Sequence, residues 1–83
     1  MNPIRRIREH EQLSRRELAA KADCSYSTVF ATERALPREP NEAILTVLVQ
    51  LGHSKTEMIE AYRLHRKAVG RKGHQENDQT SEV

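Results

Sequence analysis

Four consecutive residues, Ser25-Tyr26-Ser27-Thr28, each carry a hydroxyl, and two arginines, Arg15 and Arg16, precede them by a short stretch. Hydroxyl groups both donate and accept hydrogen bonds, so they can meet polar edges of nucleic-acid bases, though without distinguishing one base sharply from another. Tyrosine can also lie flat against an apolar group such as the thymine methyl. This run holds no Arg, Asn or Gln, so the strongest two-point base contacts are not available from it, and modest discrimination per base is expected. Arg15 and Arg16, next to Ser14, fall where a helix would begin. There the free backbone amides and the helix dipole favour a phosphate, and a guanidinium adds a fork matched to its oxygens. Arg34 and Arg38 flank the far end of the hydroxyl-bearing segment and are placed to hold phosphates on the other side.

Other chemistries are poorly served. The histidines, His10, His53, His65 and His74, include no pair at helical ligand spacing, so no metal site is expected. The single cysteine, Cys24, allows neither an internal disulfide nor a cysteine-based zinc site, and it reads as a small core hydrophobe. No paired carboxylates, nucleophile–base arrangement or glycine-rich phosphate cradle is evident. The chain is therefore expected to be no enzyme, with no catalytic residues and no cofactor.

The elements that must position these residues follow from caps and spacing. Ser14 and Glu17 form a capping box that opens a helix over residues 14–22, with Leu18, Ala19 and Ala22 turned to one side. Small Ala19 lets a second helix cross closely. Asp23 ends the run because it tolerates the left-handed conformation. Ser25 caps a second helix over 25–35, with Val29 directed inward. This is the layout of a helix-turn-helix. Before it, Asn2 caps a helix over 3–11 with Pro3 at its first position and Ile4 and Ile7 on its inner side. After it, Pro37 and Pro40 exclude a helix across residues 36–40. Asn41 then caps the most apolar helix, with Ile44, Leu45, Val47, Leu48 and Leu51, and Gly52 ends it in a left-handed cap. Ser54 and Glu57 form a second capping box and open a fifth helix, which Gly70-Arg71-Lys72-Gly73 are expected to stop.

The whole pattern resembles the phage-repressor-like (Cro-like, XRE) helix-turn-helix DNA-binding family. The resemblance runs from about Ile4 to about Ile59, carried by Leu13-Ser14, Glu17-Leu18-Ala19, Ser27-Thr28-Val29, Glu33-Arg34, Pro40 and Leu51-Gly52 together. It implies an all-α, five-helix, lambda-repressor-like domain. It places base-edge contacts on Tyr26 and Ser27 first, then on Ser25, Thr28 and Ala31, and it pairs Arg8 with Glu33 as an internal ion pair that orients the second helix. The implied function is sequence-specific binding of double-stranded DNA by a transcriptional regulator, a repressor of phage or plasmid type. Three positions depart from the family: Asp23 replaces the usual glycine, Arg15 a frequent glutamine, and Thr32 an apolar residue. Phe30 is expected in the core, compensating for polar Thr32, its other reading being a thymine-methyl contact.

Aromatic residues make up 4% of the 83 residues, so the core must be aliphatic and small. The 14 Lys and Arg outnumber the 12 Asp and Glu. Glu76, Asp78 and Glu82 lie in residues 74–83, which contain no Lys or Arg, so the remainder is more basic than the whole and suits an anionic partner. Residues 1–70 are expected to form the DNA-binding domain and 71–83 a polar, disordered tail. No stretch reads as a signal peptide or a membrane span, and a reducing cytosol, bacterial in the family's setting, is the expected location. On the fifth helix Met58, Ile59, Tyr62, His65 and Val69 form a stripe. Tyr62, His65 and Val69 are expected to extend past the globule as a homodimer seam on a two-fold operator. The alternative is an antitoxin or adaptor that binds a protein partner through this helix and the tail.

Overall fold

Each of the four short helices begins at a side chain that satisfies its free amides. The Asn2 Oδ1 accepts from the amides of Ile4 and Arg5 at 2.8 and 3.1 Å, opening α1 (Pro3–His10). Ser14 and Glu17 complete a reciprocal box at 3.0 and 2.7 Å at the head of α2 (Arg15–Ala22). The Ser25 hydroxyl accepts from the Thr28 amide at 3.1 Å at the head of α3 (Tyr26–Glu33). Asn41 does the same for Ile44 at 3.1 Å and opens α4 (Glu42–Gln50). In α5 (Lys55–Glu76) the Ser54 hydroxyl accepts from the Glu57 amide at 3.2 Å. The computed structural model describes residues 1–76, with side chains through Val69; it is all-helical, with five helices and no strand among those residues.

Between α2 and α3, Asp23 adopts φ 54° and ψ 46°, and the Cys24 amide donates back to the Ala19 carbonyl at 3.0 Å. A left-handed residue here lets the chain reverse within three residues. Gly52 closes α4 at φ 105°, a conformation that side-chain-bearing residues rarely take.

The core gathers the inward side of every helix. Ile4, Leu18, Val29, Ile44, Leu48 and Tyr62 are fully buried, with Leu45, Val47 and Met58 beside them. Ile7, Leu13 and Cys24 pack at its edge, and burial raises the Cys24 thiol pKa, which keeps it protonated. α2 packs on α3 and α4, α1 on α3 and α5, and α4 on α5. Leu51 departs from the expected burial: it is half out of α4, at its C-cap, and exposed.

Three expectations about α5 change. The helix runs through Gly70-Arg71-Lys72-Gly73 to Glu76. Glycine inside a helix costs about 1 kcal/mol relative to alanine but keeps its backbone hydrogen bond, so it weakens a helix without ending it. The expected tail from residue 71 thus begins as helix; residues 77–83 lie outside the described residues. Tyr62 is fully buried and does not form a free seam. The segment after α3 folds back over it: the Tyr62 hydroxyl donates to the Pro37 carbonyl at 2.6 Å, and Arg66 donates to the carbonyls of Ala35 and Leu36 at 3.2 and 3.3 Å. Of the stripe, His65 is half-buried and Val69 is exposed. No helix among the described residues is long and apolar enough to cross a membrane.

Candidate nucleic-acid interface

α3 meets the core through Val29, Thr32 and Glu33, an i, i+3, i+4 face of which only the first member is apolar. Each polar member is satisfied. Thr32 is fully buried, and its hydroxyl donates to the Thr28 carbonyl at 2.9 Å. The Thr32 carbonyl accepts from Asn2 Nδ2 at 3.1 Å, so the residue that caps α1 also tethers α3. Glu33 receives two arginines: Arg8 through Nε and, at 3.3 Å, its terminal nitrogen, and Arg15 Nε at 2.9 Å. Arg8 further donates to the Leu13 carbonyl at 2.8 Å. With the Glu33 side chain 2% and the Arg8 side chain 9% exposed, this is a buried pair rather than a surface one. Removing one partner would strand the other in a poorly solvating environment.

These contacts set the rotation of α3 about its axis, and the rotation decides what faces outward. Ser25, Tyr26 and Ser27 are exposed, while Thr28 and Ala31 are half-buried. The Ser25 and Thr28 hydroxyls bond each other at 2.9 Å, which leaves them less free than Ser27 for an outside partner. Phe30 does not enter the core: it is 39% exposed beside Tyr26 at 46%. The physical reason is helical phase. Position 30 lies about 100° from the inward Val29 (3.6 residues per turn), and the buried face closes without it because Thr32 is satisfied in place. The two rings, one turn apart, stack at 6.4 Å with 11° between their planes. The guanidinium carbons of Arg15 and Arg34 lie 5.4 and 5.5 Å from the Phe30 centroid, within cation–π range.

The residues predicted to meet phosphates divide into two sets. Ser14, Arg16, Arg34 and Arg38 are exposed. Arg15 is tied down, its side chain 29% exposed and bonded to Glu33. Glu33 and then the Tyr26 hydroxyl raise its pKa above the ordinary value, so it remains charged. Arg15 thus joins the buried carboxylate to the outward aromatic pair. Nothing local in the sequence signals that role; the i, i+4 spacing of Tyr26 and Phe30 shows only that the two rings share a helix face.

Elsewhere, His53 Nε2 meets Glu11 Oε2 at 2.7 Å, and the His53 ring lies edge-on to His10 at 6.2 Å. No group of three or more His, Cys, Asp or Glu among the described residues could hold a metal ion. A cleft of about 280 Å³ between α1 and α5 is lined by Arg6, Ile7, His10, His53 and Glu57 among others, and none of the predicted site residues borders it. Comparison with protein-family models, curated proteins and solved structures finds no match to this chain.

Proposed function

We propose that this chain is a sequence-specific, double-stranded DNA-binding transcriptional regulator of the phage-repressor-like (Cro-like, XRE) helix-turn-helix kind, acting most simply as a repressor that occludes a promoter. The observation that carries this reading is the leading turn of α3. It presents Ser25, Tyr26 and Ser27 to solvent, with exposed Arg16 in the first turn of α2 and exposed Arg34 and Arg38 at and beyond the far end of α3, on a helix anchored by the Glu33 network. In this reading α3 enters the major groove, with Tyr26 and Ser27 at the base edges and Thr28 and Ala31 at the margin. Arg16, Arg34 and Arg38, with Ser14 and the α2 amides, hold phosphates, and most of the affinity is electrostatic.

Selection of bound duplexes from a random pool, followed by a salt titration on the winner, tests the reading. A consensus should emerge, and affinity should fall steeply with salt. Tyr26→Ala should narrow the gap between selected and random duplexes, whereas Arg16→Ala should weaken both alike and reduce the salt slope by about one. Arg16 is the cleaner probe because Arg15 also supports Glu33. A chain that ignores every duplex at low salt overturns the proposal.

A second reading, a protein-binding adaptor or antitoxin, or a homodimer through α5, draws on Leu64 and Val69, which are 67% and 40% exposed on that helix. Sedimentation at micromolar concentration, with and without duplex, separates them: a strict monomer in both conditions excludes the homodimer. A protein partner lost on Leu64→Glu would favour the adaptor.

A further inference from the structure

The sequence of α3 leaves a discrepancy between what the helix exposes and what base edges offer. Its leading turn holds hydroxyls, which discriminate weakly, and no amide or guanidinium. Its largest outward surface is instead aromatic, the Tyr26–Phe30 stack. In the major groove the one apolar feature of a base edge is a methyl at C5 of a pyrimidine, carried by thymine. We infer that the Tyr26–Phe30 stack is a reader of pyrimidine C5-methyl groups, and that it supplies the selectivity the hydroxyls of α3 lack.

The inference rests on the duplex-binding reading and adds the chemical group that is recognised. Three observations support it. The rings are stiff and already stacked, with two side-chain torsions each, so little freedom is lost when they dock. Arg15 and Arg34 beside Phe30 place positive charge around an apolar patch, which matches a methyl lying between two phosphate strands. Arg15 is fixed by Glu33, and Glu33 by Arg8, so the platform is braced from the core rather than free to fold away.

The full chain is bound to its selected duplex and followed by fluorescence anisotropy while each thymine in turn is replaced by deoxyuridine, which removes only the methyl. At one or two positions per site the affinity should fall about fourfold, the factor expected from burying one methyl-sized group. In a duplex with C·G at that position, 5-methylcytosine should regain a similar factor over cytosine. A loss with uracil but no gain with 5-methylcytosine narrows the reading to thymine. Phe30→Ala, checked for an unchanged melting temperature, should bind thymine and uracil duplexes equally, and Tyr26→Ala should lose the same preference together with part of its affinity for the selected duplex. Selective binding that is indifferent to every uracil overturns the inference and leaves the DNA reading standing. So does a methyl effect that persists in both variants. Failure to bind any duplex overturns the DNA reading, and the inference with it.

Discussion

α3 and α4 are of nearly equal length, eight and nine residues, and both pack into the core, but they do so by opposite means. α4 buries Ile44, Leu45, Val47 and Leu48. It is held by removal of aliphatic surface from water, a force without direction. α3 buries one aliphatic residue with a threonine and a glutamate, and puts its phenylalanine and tyrosine outside. Directional bonds hold it: Asn2 to the Thr32 carbonyl, Thr32 to Thr28, and Arg8 and Arg15 to Glu33. An apolar face is held in rotation by the fit of its side chains alone. A buried carboxylate with two guanidinium partners adds bonds of fixed direction that a turn of the helix would break. Under the proposed function, the helix that aims its side chains is therefore the one fastened by polar contacts, whereas α4 is fastened by hydrocarbon.

The sharpest way to break this contrast is Glu33→Ala. It strands Arg8 and should cost about 3–5 kcal/mol, enough to unfold much of a small domain, read as a lowered midpoint in urea denaturation. Leu48→Ala on α4 should cost about 2–5 kcal/mol through a cavity. Urea titration of both variants would place the two modes of attachment on one scale; a Glu33→Ala loss below about 1 kcal/mol would mean that the network is ornamental. Tyr62→Phe removes only the hydroxyl donated to Pro37, and about 1 kcal/mol is expected from a thermal melt. Phe30→Ala should leave stability within about 0.5 kcal/mol, because an exposed ring contributes little to the core, while duplex selectivity falls. A large drop in melting temperature for this variant would return Phe30 to a structural role.

The smallest effect concerns pH. Burial, then the N-terminal ammonium, holds the His65 pKa below its ordinary 6.5. The unfolded chain therefore takes up this proton first as pH falls, so the contribution of His65 is fully present above about 6.5 and is lost as pH drops through the folded-state value. His65→Gln should flatten the difference in denaturation midpoint between pH 7.5 and 5.5 (approximate settings chosen to bracket the histidine range). Equal slopes in both proteins would remove His65 from the account.

Much of the fold was legible because its determinants are local. Asn2, Ser14, Ser25 and Asn41 each satisfy amides two or three residues ahead, and no distant partner is needed to predict them. The left-handed Asp23 and Gly52 were readable for the same reason. Other positive-φ sites, Gln12 and Ala35, carried no such signal, because neither residue type favours that conformation. Phe30 was misplaced because composition says that a large apolar side chain belongs inside, while helical phase, set by Thr32 and Glu33, turned it out. Tyr62 was misplaced because its stripe on α5 looked open until the segment from Ala35 to Pro37 folded over it.

The sequence by itself determined that the chain is helical, where its helices start, that the turn after α2 is tight, and that α4 would be the greasiest element. A capping hydroxyl or a left-handed turn acts within a few residues, so these follow from neighbours alone. Only the tertiary structure decided which way α3 faces, that Arg15 bridges the buried carboxylate and the exposed aromatic pair, and that Tyr62 lies beneath a returning segment. Those outcomes depend on groups brought together from separate parts of the chain, Arg8 and Glu33, Asn2 and Thr32, Pro37 and Tyr62, and no local rule specifies such a meeting.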